Sequence, residues 1–230
     1  MPYFFIDYWY LVLVLPAVLF SLIAQVKVKT TFSKYSRLSS RLTGRAASET
    51  ILRAKGLSVP VKSVGGSLTD HYDPQTNEIR LSETVGEKAT VAAVGVAAHE
   101  TGHAIQYAER YAPIRLRMAI VPVTNIASSL SPYLVILGLL LSIQPLAYLG
   151  VAFFFMAVLF QLITLPVEFN ASARALRALR EQAVLSEEEL EGAKKVLTAA
   201  AMTYVAALFV SLMSFLRLLL IVSGRGRRNR

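Results

Sequence analysis

The sequence predicts a mainly α-helical, multi-pass membrane protein with about four transmembrane helices and a small α+β region that carries a short β-hairpin. Three observations predict it. Hydrophobic residues make up 54% of the 230 positions and charged residues only 17%. The apolar residues gather into four blocks, each close to the 20 or so helical residues that cross a hydrocarbon core of roughly 30 Å. Between the first block and the second, short alternating stretches separated by turn residues read as strands.

In chain order, residues 1–26 form a transmembrane anchor. Its apolar stretch Tyr8–Val26 carries no formal charge, and Asp7 lies just outside it. It lacks a positive n-region and a small-residue cleavage site, so an uncleaved anchor is expected. Residues 27–117 are a polar segment. There "RAASETILRAKG", after Thr43–Gly44, is a helical pattern stopped at Gly56. "SVPVKSV" and "LTDHYDPQTNEIRLSE" read as short strands, with "DPQTN" as the turn of a hairpin. Helix returns from Ala89 to about Arg110.

Residues 118–167 form a transmembrane hairpin: Met118–Ile143, bent at Pro122, Asn125 and Pro132, then a turn at Gln144–Pro145, then the Phe-rich Leu146–Val167. Residues 168–195 are polar again. In "SEEELEGAKKVL", Ser186 is a helix N-cap and Glu189 its capping-box partner. Residues 196–222 are the fourth span, with one charge, Arg217, near enough to its end to snorkel. Residues 223–230, "SGRGRRNR", are a basic tail expected to be disordered. Only helices satisfy every backbone group in lipid without a closed barrel.

The net charge of +9 lies beside the apolar blocks, which points to a lipid bilayer and not to nucleic acid as the partner. Lys27, Lys29, Lys34, Arg37, Arg41, Arg45, Arg110, Arg115, Arg117, Arg174, Arg177, Arg180, Lys194 and Lys195 all fall on one side after four crossings. That side is expected to be cytoplasmic. The tail's Arg225, Arg227, Arg228 and Arg230 fall on the other side, against the same rule; the majority sets the expectation. With no cysteine there is neither a disulfide framework nor a thiolate metal site. Nothing in the pattern sets an oligomeric state.

The chemistry concentrates in "VAAHETGHAIQ", Val96–Gln106. The chain has only three histidines, and His99 and His103 stand i and i+4, on one helical face. Two neutral imidazoles at that spacing can grip one Zn²⁺, while Glu100 can reach a water bound to the metal and act as general base. Gly102, without a side chain, lets another element approach beside the histidines. A catalytic zinc needs a third protein ligand. His71 is the only other histidine; among carboxylates Glu168 stands out, because the transmembrane hairpin returns it to the motif's side. Its carboxylate is then expected within about 4 Å of both ligating nitrogens, since zinc bonds are near 2 Å. Asn170 and Ser172, close behind it, could hold a metal-ligating imidazole by a hydrogen bond.

"LTDHYDPQTNEIRLSE", "VAAHETGHAIQYAER" and "LPVEFNASARAL" resemble, in order, spacing and flanking spans, the YugP-like neutral zinc metallopeptidases of bacterial membranes. The resemblance covers nearly the whole chain. At motif level that family is similar to the HtpX-type membrane proteases and the CAAX prenyl proteases. It implies a gluzincin-like catalytic region with His99, His103 and Glu168 as zinc ligands and Glu100 as base. The family usually has Asp where this chain has Asn170. In similar zinc proteases an edge strand binds the peptide by strand addition; Glu78, Ile79, Arg80 and Leu81, in the strand Glu78–Ser82, are the candidates here, with an ordinary hairpin strand as the alternative. His71 is either an oxyanion helper or a structural hydrogen-bond partner. Tyr72, Tyr107 and Arg174 are further candidates for stabilising the transition state, each with a structural alternative.

The expected function is a membrane-embedded, zinc-dependent endopeptidase that hydrolyses peptide bonds by a metal-bound water with Glu100 as general base. Its substrates would be membrane proteins or segments emerging from them, cut at or just below the cytoplasmic membrane surface. The alternative is a non-catalytic zinc-binding membrane adaptor or scaffold, for which a base beside an open coordination position has no use.

Overall fold

Seven α-helices and one three-stranded sheet emerge from this pattern in a computed structural model that describes residues 7–67 and 69–228. Residues 1–6, Leu68, Asn229 and Arg230 lie outside the described residues, as do the side chains of 225–228, so the expectation for the tail arginines falls there. A π-helical stretch, Tyr10–Val14, passes into α1 (Leu15–Tyr35). Then follow α2 (Gly44–Ala54), β1 (Val61–Val64), β2 (His71–Asp73), β3 (Glu78–Ser82), α3 (Glu83–Gly86) and α4 (Val91–Ala108). The chain ends in three long helices: α5 (Ala112–Leu140), α6 (Gln144–Glu181) and α7 (Glu187–Arg228). The chain divides into two compact units.

One unit comprises residues 25–115 and 166–202. Its helix starts follow local chemistry. The Thr43 side chain accepts from Ala46 N at 3.2 Å to open α2, and Thr90 accepts from Ala93 N at 3.3 Å to open α4. Before α7, Ser186 and Glu189 bond reciprocally, at 2.7 and 3.2 Å, as a capping box. Gly56, at φ 65°, ends the run of α2. α4 is the buried axis of the unit. Val91, Val94, Ala98 and Ile105 join Ile51, Leu179 and Leu197 in one apolar cluster, while Ala97 and Ala104 join Ile79, Leu81 and Val85 in another. Each fully buried Val, Leu or Ile contributes about 1.5–3 kcal/mol.

The hairpin forms as expected, with β2 antiparallel to β3 in the register His71↔Arg80, Tyr72↔Ile79 and Asp73↔Glu78. β1 adds to it in parallel, giving the order β1-β3-β2. This overturns one expectation: Glu78–Ser82 is the central strand and not an edge, because both of its backbone margins are already paired. The margins without a strand partner belong to β1, where Val61 O accepts from Arg45 Nη1, and to β2.

The other unit comprises residues 1–24, 116–165 and 203–230. Among the described residues, four helical segments are long and apolar enough to cross a membrane: Tyr10–Tyr35, α5, α6 and residues 187–224 of α7. Their exposed side chains include Leu19, Ile23, Ile126, Leu137 and Leu149, a surface that lipid covers. Gly138 lets the α5–α6 hairpin close, since a Cβ there would lie 2.3 Å from Ala147 N, and Ser131 Oγ donates to Gly150 O at 2.8 Å. Arg217 ion-pairs with Asp7 at 3.1 Å and lies over the Tyr10 ring, where snorkelling was expected; both charged side chains are largely buried, and pairing offsets the cost of desolvating them.

Two helices outrun their apolar blocks. α6 continues through Pro166 to Glu181, so Glu168 sits inside the third span's own helix and not on a separate one. Burial of Val167, Ala171, Ala175, Ala178 and Leu179 holds that extension. α7 continues through Arg228, so residues 223–228 prolong the helix where a disordered tail was expected; once a helix exists, each further residue adds a bond for the one it fixes.

Candidate metal centre

α4 supplies His99, Glu100 and His103, and α6 supplies Glu168 and Ser172. The two helices can meet there because of Gly102: a Cβ at that position would lie 2.4 Å from the carbonyl oxygen of Ala171. His99 Nε2 stands 3.2 Å from Glu168 Oε2 and His103 Nε2 stands 3.6 Å from the same oxygen. One donor atom from each of the three residues lies within 4.8 Å of the others.

These separations suit a zinc ion, since donors about 2.0–2.2 Å from a tetrahedral metal lie about 3.3–3.6 Å apart. Charge agrees with geometry. Glu168 is 2% exposed, and a carboxylate buried so deeply costs several kcal/mol unless cations or hydrogen bonds compensate it. Two imidazoles and one carboxylate are a donor set that zinc favours.

The far side of each ring is also held. His99 Nδ1 lies 3.1 Å from Ser172 Oγ. His103 Nδ1 lies 3.0 Å from Gln106 Oε1. Gln106, fully buried, donates its Nε2 protons to Val167 O at 2.8 Å and to Asn170 Oδ1 at 2.9 Å, so its oxygen is what faces His103. An amide oxygen only accepts; His103 Nδ1 therefore carries the ring proton, which leaves the Nε2 lone pair directed at the centre. Asn170 thus touches neither imidazole, contrary to expectation. It accepts from Gln106 and from Arg174 Nε (2.7 Å), and acts one link further out.

Glu100 Oε2 accepts from the backbone N–H of Tyr72 at 2.9 Å. Burial pushes its carboxyl up to about 7, opposed by His99, reinforced by the Glu168 carboxylate, and opposed again by the Tyr72 N–H. The strand that offers this N–H is tied down by Asp70, whose Oδ1 accepts from Ser82 N at 2.7 Å and from Ser82 Oγ at 3.1 Å. Burial raises the Asp70 carboxyl as well, against the lowering effect of those bonds.

The remaining candidates are engaged elsewhere. The exposed His71 has its Nδ1 2.8 Å from Thr69 O. Ile79 and Leu81 are fully buried in the core. Glu78 pairs with Lys62 and with Arg80, and Arg80 also pairs with Asp73 at 3.4 Å. Arg174 pairs with Glu109 and lies over the Tyr111 ring. Tyr107 packs at a tilt on Tyr72, ring centres 5.9 Å apart. Sequence reasoning missed Gln106 and Asp70. Gln106 had a usable signal, a buried-helix amide at i+3 from His103; Asp70 had none, because its partner is twelve residues away across a sheet.

Apolar spanning helices and two histidines facing a buried glutamate define the class: a helical membrane protein with a His₂Glu cluster placed to hold a metal ion. Over residues 10–223 the chain matches the family described as "Putative neutral zinc metallopeptidase", and it belongs to that family. It is similar to the "Putative membrane protease YugP" of Bacillus subtilis (strain 168), at 48% identity over 206 residues, which cover 88% of this chain and 92% of the relative. No solved structure matches the chain.

Proposed function

We propose that this protein is a membrane endopeptidase in which His99, His103 and Glu168 hold zinc and Glu100 is the general base. The observation that carries the reading is the meeting of two imidazole Nε2 atoms on one Glu168 oxygen, with the Glu100 carboxyl next in sequence to the first of them. A zinc ion held there supplies a Lewis acid and lowers the pKa of water toward about 7. Glu100 takes the proton of the attacking water and passes it to the leaving amine. A carboxyl shifted upward toward neutrality suits both halves of that transfer. The Tyr72 N–H fixes the carboxyl's direction, and Ser172 and Gln106 fix the rings.

The substrate is an extended peptide laid along the outer margin of β2. Its neighbour β3 is paired on both sides, and the Tyr72 N–H, turned away from β3, marks the margin that runs past Glu100. Membrane proteins, or segments emerging from them, are the substrate class. Glu168 is the first charged residue after the apolar stretch of α6, which supports a site at the membrane surface, and the positive charge beside the spans supports the cytoplasmic face.

The test is Glu100→Gln. Zinc content should stay at one ion per chain while cleavage of an unstructured protein such as casein falls about 10²–10⁴-fold. Equal cleavage by both forms would remove Glu100 from the chemistry. Zinc held by a wild-type protein that cleaves nothing would favour an adaptor.

A further inference from the structure

A second built feature lies away from the metal centre, where the end of α1 packs on the start of α7. Tyr35, only 7% exposed, shares a core cluster with Leu190, Ala193, Val196 and Leu197, which holds the two helices together. Beside this contact is a cleft of about 470 Å³, within the range of about 300–1,000 Å³ that small ligands occupy. Lys27, Thr31 and Lys34 reach it from α1 at i, i+4 and i+7; Lys195, Thr198 and Met202 reach it from α7 at i, i+3 and i+7. Lys194 and Glu191 also line it, so the lining carries three more positive charges than negative ones.

The lysines are only partly compensated. Lys194 pairs with Glu191 at 3.2 Å and Lys34 lies 5.6 Å from the Tyr35 ring centre. Among the described residues neither Lys27 nor Lys195 has an ion-pair partner. These two residues also bound the apolar stretches within their helices: Lys27 follows the stretch ending at Val26, and Lys195 precedes the one beginning at Val196. The cleft therefore presents ammonium groups and two hydroxyls at head-group depth, with Ala199 and Met202 as its apolar lining. Juxtamembrane lysines at that depth attract anionic head groups. A phosphodiester suits the ammonium groups and hydroxyls, and the carbon chain attached to it suits the apolar side. A zwitterionic lipid would bring its own ammonium into a lining that is already cationic.

We propose that this cleft binds the head group of an anionic phospholipid, independently of the proteolytic centre. The test uses the full-length protein in a neutral detergent, with phosphatidylglycerol, phosphatidylcholine or inorganic phosphate added and thermal unfolding as the readout. Phosphatidylglycerol should raise the melting temperature; phosphatidylcholine and phosphate should not. The double variant Lys27→Gln/Lys195→Gln should lose more than half of that rise. Lys29→Gln/Arg37→Gln, which removes the same charge from exposed positions of the same segment outside the cleft, should keep it.

An equal loss in the second pair would mean diffuse surface attraction and would overturn the site, as would a full rise in the first pair. A rise produced by phosphate alone, or by a soluble acidic peptide without lipid, would assign the cleft to another occupant. Should the double variant fail to fold, native mass spectrometry of Lys27→Gln alone against wild type reads the same loss as a fall in retained phosphatidylglycerol; unchanged retention sinks the proposal.

Discussion

Gln106 uses both ends of its amide at once, holding His103 with the oxygen and tying it to Val167 and Asn170 of α6 through the nitrogen. Leucine has nearly the same volume and no polar end, so Gln106→Leu should fold, leave His103 free to rotate, and weaken zinc about 10–100-fold in competition with a chromophoric chelator. Unchanged affinity would show that packing alone orients the ring. Glu100 allows a test by pH. In chelator, the folded chain keeps this proton up to about pH 7, whereas the unfolded chain loses it near 4.5. Above pH 4.5 the unfolded state binds fewer protons, so the contribution of this group to stability falls from pH 4.5 to 7 and then levels. Glu100→Gln has no such proton, and its melting temperature should pull ahead of wild type across that window. Parallel curves would mean that the buried carboxyl ionises at no cost. At this scale His99, Glu100 and His103 were legible because their spacing lies within one helix. Glu168 was legible from the hairpin, but the link from Asn170 through Gln106 was not, since it depends on which face of α6 meets α4.

The helix pair α4 and α6 depends on contact closer than any side chain permits. Gly102→Ala would set a Cβ 2.4 Å from Ala171 O, and Ala171 is one turn beyond Glu168. The helices must part, at a cost of about 1–3 kcal/mol, and the third donor withdraws with them. We expect both lower stability and loss of zinc, whereas Gly65→Ala, with open space around the new Cβ, should change neither. Retention of zinc by Gly102→Ala would show that α6 can follow the shift. The hairpin of β2 and β3 was readable from its turn residues. The addition of β1 beside β3 was not, because a parallel neighbour from earlier in the chain leaves no mark on the local pattern, and so Glu78–Ser82 stood as a candidate edge beside its ordinary-strand alternative.

For the whole molecule, the orientation in the membrane is the expectation most open to direct measurement. The chain has no cysteine, so single cysteines report cleanly. Lys62→Cys, exposed in β1, should react with an impermeant maleimide only after cells are opened, and Gln144→Cys, exposed at the α5–α6 turn, should react in intact cells. The reverse pattern would place the metal centre outside.

The sequence by itself determined the four spans, the capping box at Ser186 and the histidine pair, because each is a periodicity or a spacing within a few turns of chain. Tertiary structure decided the rest: that β3 is central, that Arg217 meets Asp7, that Gln106 orients His103, and that the backbone admitted at Gly102 is that of α6 at Ala171. Those depend on contacts between residues far apart in sequence, and such contacts are set by how buried faces fit together and not by any run of residues read alone.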